Sequence, residues 1–427
     1  MGDLPANPGL VHNGPRGKVW RPGDNLDRVR QICNDSRESH YQSQGVSMDF
    51  TLSPEQQGVQ EKAQSLAREV KDLSARLDRE AQFPREILEL WAREGMFGLA
   101  LPREYGGQGL DYVAYTLAQM ELAQACPASA LILHVNHSLF GGAVAQFGTA
   151  AQKEAWLPPV ARGEVYACFA LTEPEAGSDP AGMKSVARRE QDGWVLTGGK
   201  NFVTSGGEAR FALVAALTDP ERGAKGISAF VVEIPATPEV TWGIREEKLG
   251  LRGAASVPLF FDQARLPETS LLGDLNQGLK VMLAVLDAAR VGSAAIAVGL
   301  GRGALAAAMA YAKQRRQFGQ AVADFQAIQW KLADMATDLE AASLLTLKAA
   351  WLKDQKQPYG QAAAMAKKFA TDAAMAAATE GVQILGGYGC LTEYPLERYF
   401  RDAKAGQIYE GTNEIMRLII ARNLLKG

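Results

Sequence analysis

Hydrophobic and polar positions change their spacing twice along the chain. From residue 48 to about 165 the apolar residues recur with a helical period, with breaks at PREYGGQG and FGTAAQ. From about 166 to 276 short β-type runs such as VYACFAL, FALVAAL and GISAFVVEI are separated by turns. From about 277 to 427 long Ala- and Leu-rich amphipathic segments return. This pattern predicts an α+β chain with an N-terminal helical domain, a middle β domain and a C-terminal helical bundle, with room for ligands between domains.

The first 47 residues differ from the rest in composition. They are rich in Gly, Pro, Asn and mixed charge, and they have the features of neither a signal peptide nor a transit peptide. We expect a mobile extension over residues 1–47. Met48 resembles a natural start, which makes a misassigned start site a hypothesis for the upstream part. Ser53 is predicted to cap the first helix, with Pro54 at its first position.

Length and charge limit the possible partners. A chain of 427 residues with 47% hydrophobic residues predicts two or three domains. A formal charge of −3 without a block of Lys and Arg argues against nucleic acid as the partner. The longest apolar run, SAAIAVGLGRGALAAAMA, is interrupted by Arg302, so we expect no membrane span of about 20 residues. Four scattered cysteines without a CxxC pair favour a reducing compartment, and we expect the cytoplasm.

One carboxylate lies at an unusual place, just before a predicted helix. In AGQIYEGTNEIMR, Glu410 precedes Gly411, Thr412 and Asn413, which form the start of an apolar helix. Local sequence allows two interpretations: a partner for the helix dipole, which is the more common case, or a base placed there for chemistry.

Two other patterns resemble functional motifs without meeting their requirements. His134 and His137 have i, i+3 spacing but no further ligands nearby, so we predict no metal site and place both in or beside a packed pocket. Gly299, Gly301 and Ala304 fit the dinucleotide-binding pattern, yet they follow a helical stretch and not a strand. Close helix packing explains these glycines better.

Longer motifs resemble those of a known family. ACFALTEPEAGSDPAGMKSVA, with GKNFVTSGG about thirty residues later, resembles the flavin-binding region of the acyl-CoA dehydrogenases. The likeness extends from Met48 to Gly427 through YGGQGL, EKLGLRG, LDAAR, RRQFG, QILGGYG and IYEGTNEI, and is greatest to the short-chain members. It implies a helix, sheet, helix fold, FAD as cofactor, an acyl-CoA substrate, an electron-transferring flavoprotein as electron acceptor and a homotetramer. Residues 1–47 lie outside the likeness.

The resemblance implies a flavin site with small hydroxyls, backbone amides and an aromatic wall, which suits a flat ring with polar edges. Thr204 lies near the reactive edge of the ring, and Phe202 stands where many members have Trp. Arg315 and Phe318 reach FAD bound mainly by a neighbouring subunit. The cofactor-binding residues implied are Phe169, Leu171, Thr172, Gly177, Ser178, Phe202, Val203, Thr204, Arg315, Phe318, Gln383, Gly386, Gly387, Thr412 and Glu414.

For the substrate, LDAAR places Asp287 and Arg290 on one helix face, and the resemblance assigns both to coenzyme A. The resemblance aligns Glu410 with the catalytic base that removes the α-proton, and Ala289 stands at the alternative position used in some branches, so no second candidate competes. The bulk of the wall residues predicts a short, branched or cyclic acyl group. The substrate-binding residues implied are Ser178, Asp287, Arg290, Tyr409, Gly411, Leu131 and Val135.

The function implied is FAD-dependent oxidation of an acyl-CoA to the 2,3-enoyl-CoA. Two alternatives stay open: an acyl-CoA oxidase that uses oxygen directly, and a flavin-binding lyase or desulfinase-type relative.

Overall fold

The computed structural model describes residues 50–425, so the predicted extension lies outside the described residues. The first part of the described chain is helical. Its α-helices are α1 (Pro54–Arg79), α2 (Arg85–Arg93), α3 (Tyr112–Ala125), α4 (Pro127–His134), α5 (Gly142–Phe147) and α6 (Ala150–Ala161). A π-helical segment, Val135–Gly141, continues α4 into α5.

Helix α1 begins as the sequence predicts. The Ser53 side chain accepts from the backbone N–H of Gln56, whose own side chain accepts from the N–H of Ser53, and Pro54 occupies the first helical position. This capping box satisfies two of the N–H groups that a helix start leaves unpaired. The predicted cap is confirmed.

A single eight-stranded sheet forms the middle of the chain. Its strands are β1 (Tyr166–Ala170), β2 (Val186–Glu190), β3 (Gly193–Thr204), β4 (Ala209–Leu217), β5 (Ile227–Glu233), β6 (Val240–Trp242), β7 (Ser256–Pro267) and β8 (Leu271–Leu272). The spatial order is β6-β7-β3-β2-β4-β5-β8, and β1 pairs in parallel with β4. Strand β3 therefore lies between β2 and β7, in the interior of the sheet.

The last part of the described chain is again helical. It contains α7 (Gly278–Gln314), a short hairpin of β9 (Arg316–Gln317) and β10 (Gln320–Ala321), then α8 (Gln326–Asp354), α9 (Gly360–Leu385), α10 (Leu396–Gly406) and α11 (Asn413–Leu424). The order of helices, sheet and helices confirms the predicted α+β fold.

Close helix packing explains the dinucleotide-like glycines. Both lie within α7, where a Cβ at Gly299 would come 2.2 Å from the carbonyl oxygen of Met120, and one at Gly301 would come 2.3 Å from Leu339. The backbone contact at Gly299 excludes any side chain there, and a side chain at Gly301 would displace Leu339, so the glycines allow α3 and α8 to approach α7.

Contacts across the sequence join the three parts. The side chain of Asn136, in the π-helical segment, accepts from the N–H of Ala167 at 2.7 Å and so connects to β1. Asp402 of α10 accepts from the N–H of Leu251 at 2.5 Å and so connects the C-terminal helices to the segment between β6 and β7. The helices on both sides are therefore anchored to the sheet by buried hydrogen bonds.

The expectation that no apolar stretch reaches membrane length is wrong as stated. Pro127–Phe147 and Gly278–Gln314, of 21 and 37 residues, are long and apolar enough to cross a membrane by length and composition alone. Within the protein, 89% and 78% of these two windows are buried. Neighbouring elements thus cover the apolar surface of both helices, as in the core helices of globular domains.

Candidate active site

The turn before α11 directs Glu410 away from the helix that follows it. Thr412, and not Glu410, caps α11, its side chain accepting from the N–H of Ile415 at 3.4 Å. Glu410 and Gly411 have φ values of 54° and 98°, both in the left-handed region. A side chain on such a backbone is uncommon and strained, which is a feature of functional sites. The Glu410 side chain turns inward and is only 9% exposed.

Two side chains from distant helices hold the Glu410 carboxylate. Ser293 of α7 donates from Oγ to Oε2 at 2.5 Å. His134 of α4 places Nε2 3.2 Å from Oε1 and 3.3 Å from Oε2. The carboxylate therefore contacts α4 and α7, and the interpretation as a simple helix-dipole partner does not account for these contacts.

Lys367 supports the same turn from α9. Its Nζ donates to the carbonyl oxygen of Gly411 at 2.8 Å and to Oδ1 of Asn413 at 3.0 Å, and the side chain is fully buried. Burial lowers the pKa of Lys367 to about 8, although the charge of Glu410 opposes this effect. The hydrogen bond from the Lys367 amine to the Gly411 carbonyl thus stabilises the left-handed conformation of Gly411.

The two histidines of LHVNHSL belong to one buried cluster. His137 stacks on the ring of Tyr115, with centroids 3.9 Å apart, and its Nε2 accepts from the N–H of Ala100 at 3.0 Å. Burial holds the pKa of His137 well below its usual range, so its ring is neutral. Within residues 50–425 no group of three His, Cys, Asp or Glu side chains could hold a metal.

Asp287 and Arg290 form an ion pair on α7, with Arg290 Nη1 2.5 Å from Asp287 Oδ1. Arg290 is buried and its Nε has no hydrogen-bond partner among the described residues, whereas the Asp287 side chain is 37% exposed. Burial lowers the pKa of Arg290, and the carboxylates of Asp287 and Glu410 oppose this. Of the two residues predicted to meet coenzyme A, only Asp287 faces an open surface.

Asp287 lines an open cleft of about 560 Å³ between the loop after β4 and the start of α7. Three cations, Arg222, Lys225 and Lys280, line the same cleft. The sequence analysis missed them, because they come from two separated segments with no motif. In the sequence, these cations are indicated only by basic residues just before β5 and early in α7.

The two predicted flavin segments lie side by side. The N–H of Asn201 donates to the carbonyl of Thr172 at 2.8 Å, which joins the end of β3 to the loop after β1. Beneath this contact the buried Lys200 donates to Glu173 Oε1 at 2.6 Å and to the carbonyl of Leu171 at 3.3 Å. Sequence reasoning did not single out Lys200 or Glu173, although both stand inside the quoted motifs.

The residues around this contact fit a flat aromatic cofactor with polar edges. Phe202, at φ 56°, is 64% exposed, which is a large apolar face left without protein cover. The hydroxyls of Thr172 and Thr204 are half-buried and make no hydrogen bond within residues 50–425. A Cβ added at Gly177 would meet nothing within 4 Å, so packing within the subunit does not account for a glycine at this position. An aromatic wall, free hydroxyls and an open glycine are what a flavin requires.

Other predicted residues near these segments are distributed as follows. Phe169 is half-buried, Leu171 and Val203 are buried, and Ser178 is exposed. Leu131 and Val135 are buried in α4 and the π-helical segment next to His134. Tyr409 is half-buried beside Glu410, and Glu414 is exposed in the first turn of α11.

The remaining predicted cofactor residues form a group on the surface of the C-terminal helices. The guanidinium of Arg315 lies 5.6 Å from the ring centroid of Tyr388, which directly follows Gly386 and Gly387. Gln383 and both glycines are exposed, and a Cβ at either glycine would meet nothing within 4 Å. Phe318, at the hairpin tip, is 94% exposed with φ 49°. These residues present polar and aromatic groups outward.

An inward-facing carboxylate and a set of residues that fits a flavin are together typical of a flavin-dependent oxidoreductase. Three family models match consecutive parts of the chain: "Acyl-CoA dehydrogenase, N-terminal domain" at residues 53–164, "middle domain" at 168–264 and "C-terminal domain" at 276–425. The chain belongs to the acyl-CoA dehydrogenase family, and its cofactor is FAD.

Individual relatives agree with this assignment. The mitochondrial short-chain specific acyl-CoA dehydrogenase of Mus musculus is 43% identical over 92% of this chain and 94% of its own length. The solved butyryl-CoA dehydrogenase of Megasphaera elsdenii is 40% identical, with a TM-score of 0.87 over 88% of this chain and 100% of its own. A structure described as the electron transferring flavoprotein of Acidaminococcus fermentans has 41% identity and a TM-score of 0.88, over 89% and 100%.

Proposed function

We propose that this protein oxidises a short-chain acyl-CoA to the 2,3-enoyl-CoA, with Glu410 as the base that removes the α-proton. The observation that carries the proposal is the inward-facing Glu410 carboxylate, held on a left-handed backbone by Ser293 and His134. A positioned carboxylate with little exposure is suited to abstract a weakly acidic proton. FAD, when bound, accepts the hydride from the β-carbon.

The chain supplies its own stabilisation for the charge that develops on the thioester oxygen. The backbone N–H of Glu410 donates to no carbonyl within the described residues, so it is free to bind that oxygen. The N-terminus of α11 follows within three residues and adds a favourable field. Proton removal and charge stabilisation then come from the same short turn.

The basic cleft beside Asp287 supports binding of coenzyme A, whose nucleotide end carries several negative charges. Arg222, Lys225 and Lys280 line it. Butyryl-pantetheine lacks the nucleotide, so Lys280→Ala should raise KM for butyryl-CoA about 10-fold while leaving KM for butyryl-pantetheine unchanged. Equal effects on both substrates would assign Lys280 another role.

The names of the relatives and the bulk of the pocket wall both favour a short acyl group. The mouse relative is short-chain specific and the Megasphaera relative acts on butyryl-CoA. Leu131 and Val135 are bulky, apolar and buried beside His134. Butyryl-CoA is therefore the first substrate to test.

The proposed electron acceptor is an electron-transferring flavoprotein. The likeness to the Acidaminococcus structure supports it, and the exposed Phe202 supplies an apolar contact surface at the predicted flavin edge. An oxidase would instead react with oxygen. After anaerobic reduction by substrate, admission of air should leave the flavin reduced for minutes, and reoxidation within seconds would favour the oxidase.

We further propose a homotetramer. Large apolar side chains, Trp330, Leu344 and Trp351 of α8 and Leu418 of α11, are exposed on the C-terminal helices. Exposed large apolar side chains are frequent at association surfaces. The outward-facing group around Arg315 would then complete the cofactor site of a neighbouring copy. The cytoplasmic location stays a prediction.

The decisive experiment is Glu410→Gln. Glutamine is nearly isosteric and spares the backbone N–H, so folding, FAD and acyl-CoA binding should survive. The rate of flavin reduction at saturating butyryl-CoA, followed by stopped-flow absorbance, should fall by at least about 10² to 10⁴-fold. Reduction at a near wild-type rate would remove Glu410 from the chemistry and assign the proton abstraction to another group. A wild-type protein whose flavin butyryl-CoA does not reduce would favour the lyase or desulfinase-type alternative.

A further inference from the structure

A chain of buried polar side chains leads from Glu410 into the N-terminal helices. His134 lies directly behind the carboxylate, with Nε2 3.2 Å and 3.3 Å from the two oxygens and Nδ1 2.9 Å from the hydroxyl of Tyr115. The His134 side chain is fully buried.

The hydroxyl of Tyr115 decides which nitrogen of His134 carries the hydrogen. It accepts from Gln119 Nε2 at 2.8 Å and from Ser138 Oγ at 3.1 Å. Both acceptor positions of the oxygen are then filled, so its own hydrogen is directed to Nδ1 of His134. Burial raises the pKa of Tyr115, and the hydrogen stays on the oxygen. Nδ1 is therefore an acceptor, and the ring carries its hydrogen on Nε2, facing Glu410.

Helix α7 is shaped to admit this ring. A Cβ at Gly292 would lie 2.3 Å from both Cε1 and Nδ1 of His134, so only glycine fits there. The next residue, Ser293, provides the second donor to Glu410. One turn of α7 thus makes room for the histidine and supplies the hydroxyl.

We infer that His134 is a positioning residue that, as the neutral Nε2–H tautomer, fixes the Glu410 carboxylate for proton abstraction. The inference rests on the proposed role of Glu410. Oε2 receives the hydrogen of Ser293 and shares that of His134, so Oε1 keeps the freer lone pairs. As the α-C–H bond breaks, its proton bonds to Oε1 and its electron pair enters the forming double bond. His134 keeps its own hydrogen throughout.

The value of this arrangement is orientation. Glu410 has three side-chain torsions and a strained backbone, and without a donor behind it the carboxylate would sample several directions. Displacement of a reacting group by about 1 Å can reduce a rate by about 10²-fold. By its hydrogen bond, His134 restricts the orientation of the Glu410 carboxylate, whose side chain is only 9% exposed.

The first test is spectroscopic and does not depend on activity. In the full-length holoenzyme labelled with ¹⁵N-histidine, His134 should show the shifts of a neutral Nε2–H ring. His137, whose Nε2 accepts from Ala100, should show the opposite tautomer. The signals are assigned by their loss in His134→Gln and His137→Asn. A His134 ring that is cationic or carries its hydrogen on Nδ1 would overturn the inference.

The second test is kinetic. His134→Leu should slow flavin reduction at saturating butyryl-CoA by about 10 to 10²-fold, with the dissociation constant of butyryl-CoA changed less than about threefold. His134→Gln, whose amide can still donate, should recover part of the rate. Tyr399→Phe is the matched control, because its buried hydroxyl donates to the carbonyl of Gln124 and contacts neither His134 nor Tyr115. Its rate should stay near wild type.

The outcomes separate this inference from the proposed function. Wild-type reduction rates in His134→Leu, together with an inactive Glu410→Gln, would overturn the inference and leave Glu410 as the base. An active Glu410→Gln would overturn the proposed function itself. If the leucine variant does not fold, Tyr115→Phe replaces it. The loss of the hydrogen bond that Tyr115 donates to Nδ1 should mix the two tautomers of His134 and lower the rate of flavin reduction, and an unchanged ¹⁵N spectrum would contradict the inference.

Discussion

Lys200 and Glu173 form a buried ion pair, 2.6 Å from Nζ to Oε1, beneath the two segments that carry the predicted flavin contacts. Glu173 also accepts from the N–H of Lys184 and of Ser185, at 2.5 Å and 3.1 Å. Burial would raise the pKa of Glu173, but the Lys200 ammonium and these hydrogen bonds outweigh it and hold the pKa below its usual value. The carboxylate is therefore ionised and organises the loop after β1.

Removal of one partner of this pair should be costly. Lys200→Met leaves the Glu173 charge buried without its counter-ion, and the free energy of unfolding should fall by about 3–5 kcal/mol. Glu173→Gln combined with Lys200→Met should recover part of the loss, because it removes the unpaired buried charge, while the amide oxygen still accepts from one of the two N–H groups. Urea unfolding measures both variants. Lys184→Met, which breaks an exposed pair with Glu175, is the control and should unfold like wild type. Equal stability of Lys200→Met and wild type would show that the pair does not organise this loop.

Arg315→Ala should weaken FAD retention without unfolding the subunit. Arg315 is exposed at the end of α7 and packs on Tyr388, so its loss leaves the core intact. A lost charged hydrogen bond to a pyrophosphate predicts a rise in the FAD dissociation constant of about 10 to 10²-fold. Flavin fluorescence released on dilution measures it, alongside light scattering for the tetramer. Arg316→Ala, at the neighbouring exposed position, should retain FAD. Equal retention in the two variants would exclude Arg315 from the cofactor site.

Asp402 predicts a pH effect on stability. Burial raises the pKa of Asp402 to about 6, against the opposing hydrogen bond from Leu251 and the nearby arginines. The folded chain then binds a proton more tightly than the unfolded chain, so stability falls as pH rises from about 4 to about 6, and the loss persists above that pH. Asp402→Asn should remove the loss and stabilise the protein at pH 7 by about 2–3 kcal/mol. Thermal unfolding at pH 4.5 and pH 7.5 should show the gain mainly at the higher pH.

Asp262→Asn, on the exposed side of β7, serves as the control for Asp402 and should show no pH-dependent gain. A gain in Asp402→Asn of the same size at both pH values would mean that packing, and not ionisation, changed its stability.

The acyl pocket should be limited by the residues before His134. Wild-type protein should reduce its flavin rapidly with butyryl-CoA and poorly with palmitoyl-CoA or glutaryl-CoA, since no arginine is assigned to a second carboxylate. Leu131→Ala should raise kcat/KM for octanoyl-CoA relative to butyryl-CoA, at a stability cost of about 2–5 kcal/mol. Leu77→Ala, a buried leucine of α1, should cost similar stability without a change in chain-length preference. A profile unchanged by Leu131→Ala would place the acyl chain elsewhere.

The sequence determined by itself the features that depend on neighbouring residues. Ser53 and Pro54 fix the start of α1 because a cap and its N–H groups lie within four residues. The change from a helical period to short β-type runs and back determined the order of helices, sheet and helices. Long motifs indicated the family and marked Glu410, since a contiguous motif can be recognised in the sequence without a structure.

Only the tertiary structure decided what surrounds those residues. His134 and Glu410 are 276 residues apart, and their contact requires α4, α7 and the turn before α11 to meet. The sequence showed His134 only as part of a failed metal motif, because a lone histidine has no local sign of its partner. Lys280 and Arg222 likewise share a cleft only after the start of α7 packs beside the loop after β4. Periodicity fixes which face of an element is buried, but the partner of a polar side chain on that face depends on how distant elements pack.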